Sequence, residues 1–226
     1  MRSISWPCAA PGGSGEEFAL VAGPDDAAAR VLIIPALFEE ANRTRRLLVE
    51  TMRALAEAGI ASVLPDLPGC NESLAPLQGQ TLQDWCVAIA TAAKHFATPH
   101  VLAIRGGALV APAGLPGWRF EPVVGAQVLR PMLRARTVAA REEGSSETMD
   151  GLLADARERG IELAGYRLGA AMVRELEAGK STDCAGQSVL SLDELGGAAL
   201  WLRSEPGEDA ALSAALAARL IADLAA

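Results

Sequence analysis

The chain has 226 residues, half of them apolar and 21% charged, which excludes a disordered chain and supplies enough apolar surface for a sizeable core. A net charge of −8 argues against nucleic acid as a main partner, because phosphate neutralisation needs a basic footprint. Alanine supplies 45 residues and aromatics only 4%, so small aliphatic side chains and closely packed helices are expected in the core. No apolar run reaches the ~18 residues of a membrane-spanning helix, so no transmembrane segment is expected. The N-terminus lacks the apolar region of a signal peptide, and the chain reads as cytoplasmic. Cys8, Cys70, Cys86 and Cys184 form no C-x-x-C pair. They fit neither a zinc site nor a disulfide framework, and each reads as a reduced thiol. No metal and no cofactor is implied.

Phe18 to Ala22 reads as an early strand, and Val31 to Pro35 as a strand covered on both faces, because the run is continuously apolar. Asn42 to Ala58 has helical spacing through Leu48, Met52 and Leu55 and stops at Gly59. Ala61 to Leu64 is the next strand. Thr81 and Asp84 make a capping pattern before the apolar stripe Leu82, Trp85, Ile89, Ala93 and Phe96. Val101 to Ile104 is a third buried strand, which Arg105-Gly106-Gly107 turns into an alanine-rich helix or loop. Gly125 to Arg141 and Met149 to Arg159 read as helices separated by a polar stretch, Glu142 to Thr148. Ile161 to Ala164 is a short strand and Ala170 to Ala178 a helix. Gln187 to Leu192 and Ala198 to Arg203 read as late strands, and Asp209 to Leu224 as the closing helix.

This alternation predicts an α/β fold: one doubly wound, mostly parallel sheet with helices on both faces, forming a single domain over residues 1–226. A reduced cap, or excursion from the sheet, is expected at about Gly114 to Arg159.

Three segments resemble those of α/β-hydrolases. Val31 to Phe38 resembles the strand whose following loop supplies an oxyanion-hole amide. Leu64 to Ser73 resembles the Asp-x-x-Gly-x-Gly-x-Ser loop after the next strand. Val101 to Gly107 stands where the nucleophile elbow belongs. The segment from Pro35 to Arg46 further resembles the Pro-Phe-x-Glu-Glu-x-Asn-x-x-Arg-Arg signature of the hydrolase-like proteins associated with the exosortase A system. Those proteins are encoded beside exopolysaccharide and protein-sorting machinery. Glu121 to Gly125, Leu133-Arg134 and Gly165 to Leu168 resemble the second of the two hydrolase-like types in that system.

The resemblance breaks at the chemistry. The elbow needs Gly-x-Ser-x-Gly, and here it reads Ala103-Ile104-Arg105-Gly106-Gly107. A guanidinium stays protonated and cannot attack an acyl group. Chain order in this fold is nucleophile, acid, histidine, yet the only histidines, His95 and His100, precede the elbow. A Ser-His-Asp hydrolase is therefore not expected, and no catalytic residue is assigned.

The loops at the carboxyl ends of parallel strands collect a polar constellation instead. Glu39, Glu40, Asn42, Arg43 and Arg46 follow the first parallel strand. Asp66, Asn71, Glu72 and Ser73 follow the next. Arg105, Gly106 and Gly107 follow the third. Two readings compete. In one, Arg105 is an internal salt-bridge anchor for Glu39 or Glu40, within ~2.7–2.9 Å. In the other, Arg105 and the amides of a helix N-terminus hold a small anionic ligand, a carboxylate or phosphate. The resemblance then implies a hydrolase-like protein that binds or scaffolds. The alternative is an enzyme acting on an ester or thioester of a lipid or saccharide precursor through Arg105, Glu39 and Glu40.

Lesser candidates have bland readings. Cys70 lies near the site without a histidine partner and reads as a plain thiol. Asp193 and Glu194 follow a late strand and read as turn residues. His95 ends a helix, where the dipole favours it, and His100 begins a buried strand. Positions 130, 134, 137 and 141 share one helix face, three of them arginines. A solvated face is the usual explanation and a protein-binding stripe the sharper one.

Overall fold

A computed structural model describes residues 1–8, 15–142, 144, 146–180 and 184–226. Part of the polar stretch after the helix ending at Glu142, residues 143 and 145, lies outside the described residues.

The core is a seven-stranded sheet. Strands β1 (Arg2–Cys8) and β2 (Gly15–Ala22) pair antiparallel, with Arg2 opposite Val21 and Cys8 opposite Gly15. β2 lies antiparallel to β4 (Ala61–Pro65). From β4 onward the sheet is parallel, passing through β3 (Arg30–Ile34), β5 (His100–Ile104), β6 (Gly117–Phe120) and β9 (Gln187–Leu190). The strand order is β1-β2-β4-β3-β5-β6-β9. The central strands β3, β4 and β5 are buried almost throughout because helices cover both faces, which is why each reads as an unbroken apolar run.

One face carries α1 (Glu39–Glu57) and α7 (Ala210–Ala225). Leu48, Met52 and Leu55 of α1 meet Leu212, Leu216 and Leu220 of α7 in one cluster with Ile33 and Leu102 of the sheet. The other face carries α2 (Leu82–His95), α3 (Gly125–Glu142), α4 (Met149–Arg159) and α5 (Ala170–Ala178), with Trp85, Ile89, Met132, Met172 and Val173 buried against Leu32 and Ala103. The expected cap on α2 forms: Thr81 Oγ1 accepts from the Asp84 amide at 3.0 Å while Asp84 accepts from the Thr81 amide at 2.9 Å. The mostly parallel, doubly wound sheet expected from the sequence is present.

Several elements differ from the sequence expectation. β1 and β6 were not expected as strands. The excursion starts only after β6, since Gly117–Phe120 pairs inside the sheet, and it runs through α3, α4 and α5 rather than from Gly114 to Arg159. Within it β7 (Ile161–Leu163) and β8 (Tyr166–Leu168) form a separate hairpin. β9 ends at Leu190, and Ser191 caps a short helix α6 (Leu192–Leu195) by a reciprocal bond pair with Glu194. Ala198 to Arg203 is not a strand. Its centre, Leu200–Leu202, is a 3₁₀ turn that buries Leu200 and Trp201 and leaves Leu202 exposed. Among the described residues, no helix is long and apolar enough to cross a membrane.

Candidate functional site

Arg105 stands immediately after β5 with φ +52°, in the left-handed region that a non-glycine residue rarely adopts. The bend aims its side chain away from the strand. The following residues, Arg105–Leu109, make a five-residue 3₁₀ turn and not an α-helix. Gly106 and Gly107 are buried in this bend. A Cβ on Gly107 would lie 2.3 Å from the Pro35 carbonyl oxygen, and one on Gly106 would lie 2.9 Å from Val128 Cγ2. The elbow is thus clamped on the loop after β3, and only glycine fits the approach.

Each of the three Arg105 guanidinium nitrogens donates a hydrogen bond. Nε donates to Glu40 Oε2 and Nη2 to Glu40 Oε1, both at 3.1 Å, the bidentate geometry that suits a carboxylate. Nη1 donates to the Glu121 carbonyl at 3.3 Å. The guanidinium carbon sits 4.4 Å from the centre of the Trp201 ring, a cation–π contact. The side chains of Arg105 and Glu40 are 12% and 15% exposed, so the pair is shielded from solvent. The internal-anchor expectation matches this geometry, with Glu40 rather than Glu39 as partner and at a slightly longer distance than expected. Glu40 occupies two of the donor groups, and no α-helix begins at the glycines.

Neighbouring groups close the arrangement. Arg43, one turn after Glu39, pairs with it at 3.6 Å and donates to the Trp201 carbonyl at 3.0 Å. Glu121 has φ +48°, and its carboxylate accepts from the Leu192 amide at 2.8 Å, which ties the end of β6 to α6. A cavity of about 200 Å³ lies beside the pair, lined by Leu37, Glu39, Glu40, Arg43, Trp201 and Leu202 among others. That is below the range of about 300–1,000 Å³ usual for small-molecule sites.

The rest of the expected constellation lies elsewhere. Arg46 pairs with Glu50 at 2.7 Å and Glu208 at 3.3 Å in a groove between α1 and α7, because it lies six residues after Glu40, about 120° around the helix and about 9 Å along it. Asn42 is exposed and donates to the Tyr166 hydroxyl at 3.4 Å. Asp66, Asn71 and Ser73 make a second network. Asn71 donates to Asp66 at 2.7 Å, and Ser73 Oγ donates to Glu17 at 2.9 Å while accepting from the Gly69 amide. Ser73 therefore stabilises its own loop, as turn serines do. Glu72 is exposed. Among the described hydrogen bonds and ion pairs, none joins the Asp66 network to Arg105. Burial pushes the Asp66 carboxyl above the usual range, against the hydrogen bond from Asn71 and the charge of Arg45. Burial, followed by the Asp66 and Glu17 charges, pushes the Cys70 thiol up to about 12. Such a thiol is inert as a nucleophile.

Neither histidine can act on Arg105's position. His100 opens β5 and Arg105 follows its last residue, so five residues of extended chain, about 16 Å, separate them. His95 ends α2 and packs tilted against Trp6 and edge-on against Phe96. Asp193 and Glu194 belong to α6, where Glu194 caps the helix. Sequence reasoning missed Trp201 and the carbonyl of Glu121. The available signal for Trp201 was a tryptophan in the segment before the last helix, where the fold's chain order would place the base.

No protein-family model matches the sequence, and a search of curated proteins finds no match. Solved structures match by shape. Est1E from Butyrivibrio proteoclasticus, solved with ferulic acid bound, aligns with TM-score 0.53 and 18% identity over 78% of this chain and 74% of that one. Potato epoxide hydrolase I from Solanum tuberosum aligns with TM-score 0.41 and 18% identity over 53% of this chain, and the epoxide hydrolase VrEH1 from Vigna radiata with TM-score 0.40 and 18% identity over 52%. The chain spans 40% of the length of each of these two epoxide hydrolases. The sheet order, the helices on both faces and the bend after β5 define an α/β-hydrolase fold.

Proposed function

We propose that this is a hydrolase-fold protein without serine-hydrolase chemistry, which acts by binding or scaffolding. The observation that carries the reading is Arg105 at the elbow, held by both oxygens of Glu40 and covered by Trp201. A protonated guanidinium offers no lone pair for attack, and the carboxylate that would serve as base is committed to it. Function in this fold resides in the site and not in the sheet. The resemblance of Pro35 to Arg46 supports placing the chain with the hydrolase-like proteins of the exosortase A and exopolysaccharide systems. Glu40 and Arg105 are then the interacting pair of that signature segment and the altered elbow. The competing reading, an enzyme on an ester or thioester of a lipid or saccharide precursor, requires Arg105 and Glu40 to be available to substrate. Their mutual bidentate pairing and the small cavity beside them weigh against it.

The test is incubation of the full chain with a fluorophosphonate probe and with short p-nitrophenyl esters and acyl thioesters. We expect no covalent adduct by intact mass and no hydrolysis above buffer. Stoichiometric labelling of a serine, or turnover abolished by Glu40→Gln, would overturn the reading in favour of the enzyme.

A further inference from the structure

From the face of α3 opposite its buried side, we infer a docking groove for an acidic peptide segment of a protein partner. Arg130, Arg134 and Arg141 line a groove of about 710 Å³ between α3 and the segment around Glu147 to Met149. All three arginines are exposed. They make no ion pair with a described residue, although this acidic chain pairs most of its other arginines with carboxylates. The acid on the opposite wall, Glu147, is held by Arg136 through two bonds at 3.1 and 3.2 Å, so its charge is already matched. Among the described residues, the groove therefore presents three guanidiniums without an ion-pair partner.

Their spacing states what would fit. Steps of four and seven residues keep all three on one helix face and separate them by about 6 Å and about 10–11 Å along the axis. One phosphate or carboxylate cannot span that length. Pro131, Val138 and Met149 also line the groove, and Val138 is 49% exposed. A ligand with carboxylates at matching intervals and apolar side chains between them satisfies both features. An acidic peptide has that chemistry, and a phosphodiester chain lacks the apolar groups. The net charge of −8 repels any large polyanion at long range, whereas a short segment acts within the screening length of about 8 Å. The groove stands on α3 and its facing wall alone, so it is tested independently of the elbow.

The experiment is fluorescence anisotropy of the full chain with a labelled helix-favouring peptide carrying glutamates at steps of four and seven residues and leucines between. A permuted peptide of equal composition, a single-stranded oligonucleotide and phosphatidylserine vesicles serve as comparisons. We expect salt-sensitive binding of the matched peptide, weakened about tenfold by Arg134→Gln and further by Arg130→Gln with Arg141→Gln, but unchanged by Arg53→Gln on α1. Circular dichroism checks that each variant folds. Absence of binding overturns the proposal. So does binding indifferent to Arg134→Gln, or binding of the permuted peptide, oligonucleotide or vesicles as tight as that of the matched peptide.

Discussion

At the residue scale, Arg105 combines a costly backbone with a well-satisfied side chain. A φ of +52° in a non-glycine residue carries strain of order 1–3 kcal/mol, which persists only when the surroundings fix it. Here the surroundings are Glu40, the Glu121 carbonyl and the Trp201 ring. Restoring a serine alone is expected to be fruitless. Arg105→Ser should show no ester hydrolysis above buffer, because His100 lies at the far end of β5 and His95 is packed against Trp6 and Phe96 at the end of α2; measurable turnover in that variant would contradict this placement. Cys70 gives a second outcome. With its thiol pushed up to about 12, the thiolate fraction at pH 8 is on the order of one in ten thousand. Iodoacetamide on the folded protein at pH 8 should leave Cys70 unmodified, with labelling only after unfolding, as read by peptide mass mapping. Arginine at the elbow position and the lack of a histidine after residue 100 were legible in the sequence because they are facts of residue identity and order. The choice of Glu40 over Glu39 was not, because adjacent helical residues differ by 100° in direction and only the packed α1 decides which one faces β5.

At the element scale, local chemistry and tertiary contacts can be separated. Thr81→Ala removes the acceptor that caps α2 and is expected to cost about 1 kcal/mol by denaturant unfolding. Asp209 caps α7, and hydrogen bonds from the Leu212 and Ala198 amides hold its carboxyl below the usual aspartate range. Because the folded value is depressed, its contribution is complete above the ordinary value near 4 and is lost as pH falls through the folded value. The stability difference between the wild type and Asp209→Ala should therefore be about 1 kcal/mol at neutral pH and shrink below pH ~4. Gly107→Ala should destabilise far more than a surface change, since its Cβ meets the Pro35 carbonyl oxygen. The long strands and helices were legible because β3, β4 and β5 are doubly covered and α1, α2 and α7 carry full apolar stripes. β6 was not, because a strand of four residues, within the five that separate Pro116 from Pro122, gives no period to read. Ala198 to Arg203 misled for the opposite reason: a short apolar run fits a buried strand and a buried turn equally, and here Gly196 and Gly197, both at positive φ, turn the chain first.

At the scale of the whole molecule, the α/β-hydrolase fold brings its strand-end loops together around a paired arginine and glutamate. The sheet brings α1, the bend after β5, the end of β6 and the turn at Trp201 to one point, and an ion pair occupies it. The central claim is that Arg105 and Glu40 form one structural unit. Its most direct measurement is a double-mutant cycle of Arg105→Ala and Glu40→Ala by denaturant unfolding. Each single variant should lose about 3 kcal/mol, because it leaves a shielded charge without its partner. The double variant should lose little more than either, giving a coupling of about 2 kcal/mol or more. Additivity within about 0.5 kcal/mol would contradict the account and leave Arg105 free for a ligand or substrate.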